Sequence, residues 1–406
     1  MQDKKLKWID TVIFAVMLFL ASGVTFVLFY RQTLGSPELY HSDMKAYILE
    51  MQGLDSGYSF PYPVFFKLSA FFHLFAGPEL AVAIATMFLN SLGMVFVKFA
   101  FNTLVLEKLQ GAFAKQKWLA GAVISGVTIS LFFISMLYPP RGIYLPGIKY
   151  NYLGVFTANP FHNATYMAAR PFAVLSFFWY ARLLDQYEEG WKGKTGDYVL
   201  FSLFLLIATM TKPSFTIVLV GAAGLIMLWR MIRSRFRNFV PTVQLGICFL
   251  PTFADLLYQF KGVFVPQEGE EGGLGFCLGN VWRLYCDNIP LAICLAVGFP
   301  LLVLVLNYKE LKHSTVYRFS WQIYLMSFAM AFFLYEKGFR EPDFNFSWGY
   351  MYGIFFSFVG ALLVLLKATA GKKRPALLTV QWLAYLWHLA CGLYYFYGIY
   401  GGAMYY

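Results

Sequence analysis

Charged side chains are scarce in this chain. They make up 13% of the 406 residues, whereas 59% are hydrophobic. Soluble domains carry about 25% charged residues. Many apolar runs here have membrane-spanning length and no polar face, so the composition excludes an ordinary soluble domain. We therefore predict an all-α polytopic membrane protein, a single transmembrane domain over residues 1–406 without a sequence repeat or a separate soluble unit.

Cysteine is scarce as well, with five in the chain and no pair at the CxxC spacing. Without such a pair or histidine partners, no zinc site is expected. Cys277 and Cys286 share a loop predicted to lie outside, and they are candidates for a disulfide there. The net charge of +11 does not indicate nucleic-acid binding, because most Lys and Arg residues sit in short segments between apolar runs.

The apolar runs predict about eleven transmembrane helices. Six basic clusters fall at alternate connections, as the positive-inside rule expects of cytoplasmic loops. Lys4, Lys5 and Lys7 precede the first run, which we interpret as a retained anchor. We thus expect a plasma (inner) membrane protein with its N-terminus in the cytoplasm and its C-terminus outside. The predicted spans are 8–30, 79–106, 118–138, 164–184, 198–211, 214–229, 239–260, 289–306, 319–335, 349–366 and 377–397.

The first outside connection, residues 31–78, is unusually rich in polar residues for its position. Ser36 can cap a helix that starts at Pro37, and Gly53 and Gly57 can end it. A second short helix, at about 64–76, is predicted after Pro63. Both are too short to cross a bilayer, so they are expected to lie in the interface. The apolar stripe of the first helix is Tyr40, Met44, Tyr47, Ile48, Met51 and Leu54.

The candidate site lies in or beside the outside connections 31–78, 139–163, 261–288 and 336–348. Ionisable groups at or within a bilayer are costly, and they indicate function by default. Because both signs of charge occur at this face, we expect an anionic ligand and an acid–base group. The catalytic candidate is Asp43. The substrate-binding candidates are His41, Lys45, Arg141, Lys149, Asn159, His162, Asn163, Arg170, Lys212, Glu336, Arg340, Asn345 and Trp348.

Structural interpretations of several candidates remain open at this point. Asp43 can serve as a helix cap. Glu336 and Arg340 can form an ion pair with each other. The tripeptide from Asn163 to Thr165 also fits a glycosylation sequon, a pattern that often occurs by chance.

With these features in place, the chain resembles bacterial GT-C-type glycosyltransferases. The resemblance is carried by the eleven-span pattern, by the early acidic residue Asp43 in HSDMKAY, by TKPSF around Lys212 and by NFSWGY after a charged outside loop. Family members often have an acidic pair in the first loop, whereas HSD supplies one acid. Glu50 and Asp55 are the candidates for a second carboxylate.

The resemblance implies a polyprenyl-phosphate sugar as donor, bound at the outer face, because nucleotide sugars are confined to the cytoplasm. The sugar would pass to a hydroxyl of a glycan or lipid acceptor, with inversion. Asp43 would be the general base, and cations would hold the leaving phosphate. Membrane lipid, donor and acceptor are the expected partners, with no metal or other cofactor and no nucleic acid. Two alternatives remain, namely a transporter or flippase of lipid-linked sugars and a glycan polymerase.

Overall fold

The computed structural model describes residues 2–36, 38–137, 156–263, 273–338, 340–371 and 374–403. In these ranges the chain is almost entirely helical, which confirms the predicted all-α class. Two three-residue strands, β1 (Leu274–Phe276) and β2 (Leu334–Glu336), pair antiparallel. Cys277, next to β1, and Cys286 are buried free thiols, so the candidate disulfide is not formed.

The helices in the first part of the chain lead from the N-terminus to the connection after α8. They are α1 (Gln2–Leu34), α2 (Met44–Met51), α3 (Val64–His73), α4 (Pro78–Ala112), α5 (Trp118–Leu131), α6 (Ala164–Leu184), α7 (Thr195–Thr211) and α8 (Ser214–Arg233).

The remaining helices include several short ones. They are α9 (Phe239–Ile247), α10 (Leu250–Val263), α11 (Asn280–Arg283), α12 (Ile289–Ala296), α13 (Gly298–Leu306), α14 (Glu310–His313), α15 (Thr315–Phe333), α16 (Ser347–Ala370) and α17 (Pro375–Tyr400).

The connection between α1 and α4 contains two short helices, as the sequence predicts, but the first one is shorter than expected. It starts at Met44 instead of near Ser36, whose hydroxyl accepts the Leu39 N–H at 3.1 Å in a turn. The second, α3, agrees with the predicted range of about 64–76. The turn before α2 leaves Asp43 at the start of the helix.

The ends of the long helices form two groups. We call the group that contains Asp43 and the end of α1 the Asp43 end, and the group that contains the start of α1 and the end of α8 the basic end. At the Asp43 end, Arg31 near the end of α1 donates to the carbonyl of Tyr400 in α17 at 2.9 Å. At the basic end, Lys98 of α4 binds Asp10 of α1 at 2.7 Å and the carbonyl of Gly121 in α5 at 3.1 Å. Contacts between the helix ends therefore keep α1, α4, α5 and α17 in register.

Three further helices meet at the basic end. Arg230 in the last turn of α8 donates to the carbonyl of Leu184 in α6 at 2.6 Å. Thr315, the first residue of α15, donates its hydroxyl to Asp185 after α6. These contacts bring the ends of α6, α8 and α15 together.

Within the described ranges, five helices are long and apolar enough to cross a membrane, or up to seven if each of two bent pairs forms one span. Several such helices indicate a multi-pass membrane protein, but the predicted number of about eleven is wrong. The five are Lys4–Leu34, Pro78–Ala112, Ser214–Arg233, Glu341–Ala370 and Pro375–Tyr400. The bent pairs are Phe239–Ile247 with Leu250–Phe260, and Ile289–Ala296 with Gly298–Leu306.

Four predicted spans do not have the length and hydropathy of a membrane-spanning helix, for two different reasons. Helices α5 and α7 have 14 and 17 residues and are too short. Helices α6 and α15 are long enough, but polar and aromatic side chains lower their mean hydropathy. Most of α6 is buried among other helices, including Arg170 and Ser176. Arg170 donates to the segment before α6, and Ser176 donates to the carbonyl of Phe172 one turn earlier, so both polar side chains have partners inside the protein. Such a helix does not need to be apolar throughout.

One buried histidine secures the sharpest bend in the bundle. Helices α12 and α13 meet at 75°, and the N–H of Phe299 beside the bend donates to Nε2 of His388 at 3.1 Å. The other ring nitrogen, Nδ1, lies 2.8 Å from the carbonyl of Ser135 and donates to it. These two partners require the neutral ring with its proton on Nδ1. His388 of α17 thereby ties the bend to the segment after α5.

The most extensive helix pair, α15 with α16, packs through small residues. A side chain at Gly353 would overlap Ser327 and would lie 3.2 Å from Cα of Tyr324, and one at Gly360 would overlap Ser320. Both glycines face serines spaced seven residues apart on α15. Small residues at such positions let helix backbones approach closely in a membrane.

We predict that Gly353→Ala destabilises the protein by about 1–3 kcal/mol, because the added methyl group has to push α15 away from α16. Thermal unfolding of the purified protein in detergent measures this effect. The matched control is Gly224→Ala, at a helical glycine of α8 with open space around it. The control is expected to be neutral or slightly stabilising, since Ala favours helices over Gly. Equal melting temperatures for the two variants would contradict close packing at Gly353.

Candidate functional site

Asp43 occupies the N-cap position of α2, but its carboxylate makes no capping hydrogen bond. Instead, Oδ2 accepts from Nδ2 of Asn163 at 2.6 Å and from the hydroxyl of Tyr47 at 3.1 Å. The backbone N–H of Asp43 donates to the carbonyl of His162 at 3.3 Å. The observed contacts thus turn the carboxylate towards α6, and they do not match the interpretation of Asp43 as a helix cap.

Asn163 is the N-cap residue of α6 and the centre of this group. Its Oδ1 accepts from the N–H of Tyr166 at 2.9 Å, from the hydroxyl of Thr165 at 3.0 Å and from Nζ of Lys212 at 3.0 Å. The residue is 3% exposed. Because both ends of its amide are engaged and it is buried, the sequon interpretation does not fit Asn163.

Lys212 reaches the group because α7 stops directly before it. Pro213 disfavours the helical conformation in the preceding residue, and Lys212 is extended, with φ −168° and ψ 121°. Its Nζ donates to the hydroxyl of Thr165 at 3.1 Å and lies 4.4 Å from the ring centre of Trp348. The fold therefore brings together side chains from four separate parts of the chain, namely Asp43, Asn163, Lys212 and Trp348. All four were site candidates in the sequence.

The surroundings shift the two charged groups in opposite directions. Removal from bulk water raises the pKa of Asp43, although Lys212 and the hydrogen bonds from Asn163 and Tyr47 act against this shift. Burial lowers the pKa of Lys212, Asp43 opposes this shift and Arg340 adds to it, and the resulting pKa is about 8. Asp43 retains some exposed surface. The site thus holds a carboxylate of raised proton affinity beside an ammonium that is protonated at neutral pH.

These shifts have opposite consequences for stability. Because the folded pKa of Lys212 lies below its ordinary value of 10.5, the unfolded chain binds more protons between pH 8 and 10.5. The contribution of Lys212 to the free energy of unfolding therefore rises with pH across that window. The pKa of Asp43 is raised above 3.8, so its contribution is present at low pH and is lost as the pH rises through the folded value.

His162 lies beside the group but is not its acid–base residue at neutral pH. Burial, followed by the charges of Lys212 and His41, lowers its pKa to about 3. Its ring lies 5.7 Å from that of Trp348. A neutral, buried imidazole next to an aromatic ring shapes the site and does not supply protons to it.

Three residues of the site were not among the candidates from the sequence. The hydroxyl of Tyr47 lies 3.2 Å from that of Thr165 and joins it to Asp43. Thr165 also interacts with the hydroxyl of Tyr62. Helical spacing placed Tyr47 in an apolar stripe. Tyr47 also follows Asp43 by four residues, a spacing that puts the two side chains on one helical face.

Glu336, Arg340 and Asn345 form a polar cluster close to this group. Arg340 pairs with Glu336 at 3.5 Å and with Asp343 at 3.5 Å, and Asn345 donates to Glu336 at 2.9 Å. The ion pair considered from the sequence is therefore present. Arg340 still acts on Lys212 through its charge.

Other candidates are not brought into the group. Arg170 is fully buried and donates to Oδ1 of Asn159 at 2.8 Å and to the carbonyl of Ala158 at 3.1 Å, under the rings of Phe132 and Phe355. It braces the segment before α6 and does not reach Asp43's hydrogen-bond partners.

Four sequence candidates remain. Lys45 is exposed on α2. His41 affects the pKa of Asp43 through its charge. Arg141 and Lys149 lie outside the described residues.

No metal-binding cluster of three or more His, Cys, Asp or Glu side chains occurs within the described ranges. Comparisons with protein-family models, with curated proteins and with solved structures find no match for the chain. A carboxylate and an ammonium that share one amide can accept a proton and hold an anion side by side.

We predict that Lys212 titrates near pH 8 and that Asp43→Asn lowers this value, because the variant removes the negative charge that stabilises the ammonium. NMR titration of lysine-labelled protein in detergent micelles measures the pKa. Loss of the signal in Lys212→Arg assigns it. An ordinary lysine pKa in the wild type, or a value unchanged by Asp43→Asn, would contradict the electrostatic coupling of the two residues.

Proposed function

We propose that this chain is a membrane glycosyltransferase of the GT-C type that moves a sugar from a polyprenyl-phosphate donor to an acceptor hydroxyl. The observation that carries the proposal is the joint hydrogen bonding of Asp43 and Lys212 to Asn163. It brings an acid–base group and a phosphate-binding cation to one end of a helical bundle. Both are needed for the transfer of a sugar from a lipid phosphate.

In the proposed reaction, Asp43 accepts the proton of the acceptor hydroxyl. The acceptor oxygen forms a bond to the anomeric carbon from the face opposite the phosphate. The bond between that carbon and the phosphate oxygen breaks, and polyprenyl phosphate leaves with the electron pair. Direct displacement inverts the anomeric centre. The raised pKa of Asp43 favours this role, because a general base works best when its pKa approaches the working pH.

Lys212 is the proposed partner of the leaving phosphate. Its ammonium is held by two neutral oxygens, those of Asn163 and Thr165, and by the face of Trp348. None of these partners neutralises its charge, so the charge remains available to an anion. The cluster of Arg340 adds positive charge nearby, although two carboxylates share that arginine.

An aromatic row extends from the site towards solvent and is suited to a sugar or an isoprenoid chain. The rings of Tyr58 and Phe60 lie 5.9 Å apart, those of Phe60 and Tyr62 5.9 Å, and those of Tyr62 and Phe66 6.2 Å. Tyr58 is exposed, whereas Tyr62 interacts with Thr165 inside the site. Sugar rings and apolar chains both pack well on such surfaces.

We predict that Asp43→Asn reduces turnover by about 10²–10⁴-fold, the usual contribution of a general base. Asparagine retains the shape of the side chain and an oxygen for Asn163 and Tyr47, so folding should be kept. Transfer of radiolabelled sugar from a panel of polyprenyl-phosphate sugars, per folded molecule, measures the effect. The control is Glu38→Gln, which changes an exposed carboxylate of the same connection.

Two results would oppose this assignment. Turnover of Asp43→Asn near the wild-type value would remove Asp43 as the base. Movement of the labelled lipid across proteoliposomes without transfer to any acceptor would favour the alternative of a transporter or flippase.

We predict that the basic end faces the cytoplasm and the Asp43 end faces outside, since cytoplasmic loops are enriched in Lys and Arg. Accessibility tags inserted at Lys115, Lys194, Arg235 and Lys312 should report the cytoplasm, and a tag after Tyr406 should report the outside. The C-terminal tag is informative because α17 ends beside Arg31 at the Asp43 end. A cytoplasmic C-terminus would place the site on the side where nucleotide sugars occur and would contradict the lipid-linked donor.

A further inference from the structure

A cavity of about 1100 Å³ lies at the basic end, bordered by the segment after α6, by α8 from Ala222 to Arg233 and by α15 from Arg318 to Ala329. It is remote from Asp43. Helix α8 starts two residues after Lys212 and ends at Arg233, and its 20 residues span about 30 Å. The residues that line the cavity are distinct from those of the candidate functional site.

One part of the cavity is lined by arginines with unused hydrogen-bonding capacity. Arg233 forms no ion pair within the described part of the chain. Arg318 donates to the carbonyl of Leu311 and to the hydroxyl of Thr315, both at 3.0 Å, and the charge of Asp185 acts on it without an ion pair. A guanidinium has five N–H donors, so Arg318 has several left for a ligand. Arg230 also lines the cavity, 3.9 Å from Glu188.

The carboxylates in the lining already have donors of their own. Glu189 pairs with Lys194 at 2.6 Å, and Asp185 accepts from the hydroxyl of Thr315. Glu188 accepts from Asn238 at 3.2 Å. Lys194 offsets Glu189, Arg230 offsets Glu188, and Arg318 faces the charge of Asp185. Arg233 therefore carries the positive charge that no carboxylate of the lining offsets, and arginine is well matched to phosphate oxygens.

The other part of the cavity is apolar and reaches the outer surface of the bundle. Leu225, Trp229 and Leu325 line it and are 60%, 64% and 60% exposed. Met326 and Ala329 continue the apolar wall on α15. In a helix that crosses a membrane, such exposed side chains contact lipid, and a Trp near the helix end is typical of the headgroup level.

We infer that this cavity binds an anionic phospholipid of the leaflet at the basic end. The phosphate lies against Arg233 and Arg318, and the acyl chains lie along Leu225, Trp229 and Leu325. Charge complementarity and the adjoining apolar wall together select this occupant, since basic pockets between membrane helices bind anionic headgroups. The inference stands apart from the glycosyltransferase proposal and does not depend on it.

The test uses the delipidated full chain in detergent, with phosphatidylglycerol as the probe and lipid binding followed by native mass spectrometry. Arg233→Gln is expected to weaken binding by about tenfold or more, because it removes a charge-assisted hydrogen bond. The matched control is Arg237→Gln, an exposed arginine of the same basic cluster outside the lining. It should change binding far less, and Arg233→Lys should restore part of the affinity.

Comparison ligands separate the two parts of the proposed site. Phosphatidylcholine and inorganic phosphate should each bind much more weakly than phosphatidylglycerol, and Ala329→Phe should reduce lipid binding by filling the apolar part. Equal losses for Arg233→Gln and Arg237→Gln would show general surface attraction and overturn the inference. Equal binding of phosphatidylcholine, or of inorganic phosphate, would likewise overturn it, as would the absence of bound lipid in the wild type.

Discussion

The amide of Asn163 is the contact on which the rest of the site depends. Its oxygen accepts from Lys212 and its nitrogen donates to Asp43, so one uncharged group joins the cation and the anion without placing them in direct contact. A direct ion pair would neutralise both charges. With the amide between them, each charge remains available to a ligand. The same oxygen caps α6, so the start of that helix and the geometry of the site are fixed together.

The sequence predicted most of the residues that belong to this group, but it did not predict the hydrogen bonds that join them. Asp43, Asn163 and Lys212 stood out because polar residues beside apolar segments are costly. The role of Tyr47 was missed because helical periodicity counts tyrosine as apolar and disregards its hydroxyl. Arg170 was predicted at the site because charge alone marked it. Its buried bond to Asn159 depends on the fold of the segment before α6, which a linear pattern does not contain.

The predicted number of spans was wrong for a related reason. Hydropathy treats every segment as if lipid surrounded it, whereas α6 is enclosed by other helices and carries Arg170 and Ser176 inside the protein. The close approach of α15 and α16 at Gly353 and Gly360 is another property of a pair of helices. Single-segment patterns therefore identified the helical class and most helix positions, but they did not distinguish helices that face lipid from helices that face protein.

The order in which the chain is synthesised constrains when the site can form. Asp43 and Asn163 are 120 residues apart in the sequence, Lys212 follows 49 residues later, and Trp348 comes later still. During synthesis, several helices are therefore made between Asp43 and Asn163, its amide partner. The interval between Lys212 and its aromatic neighbour Trp348 is longer. Trp348 belongs to α16, so the cluster of all four residues cannot be complete before that helix has been made.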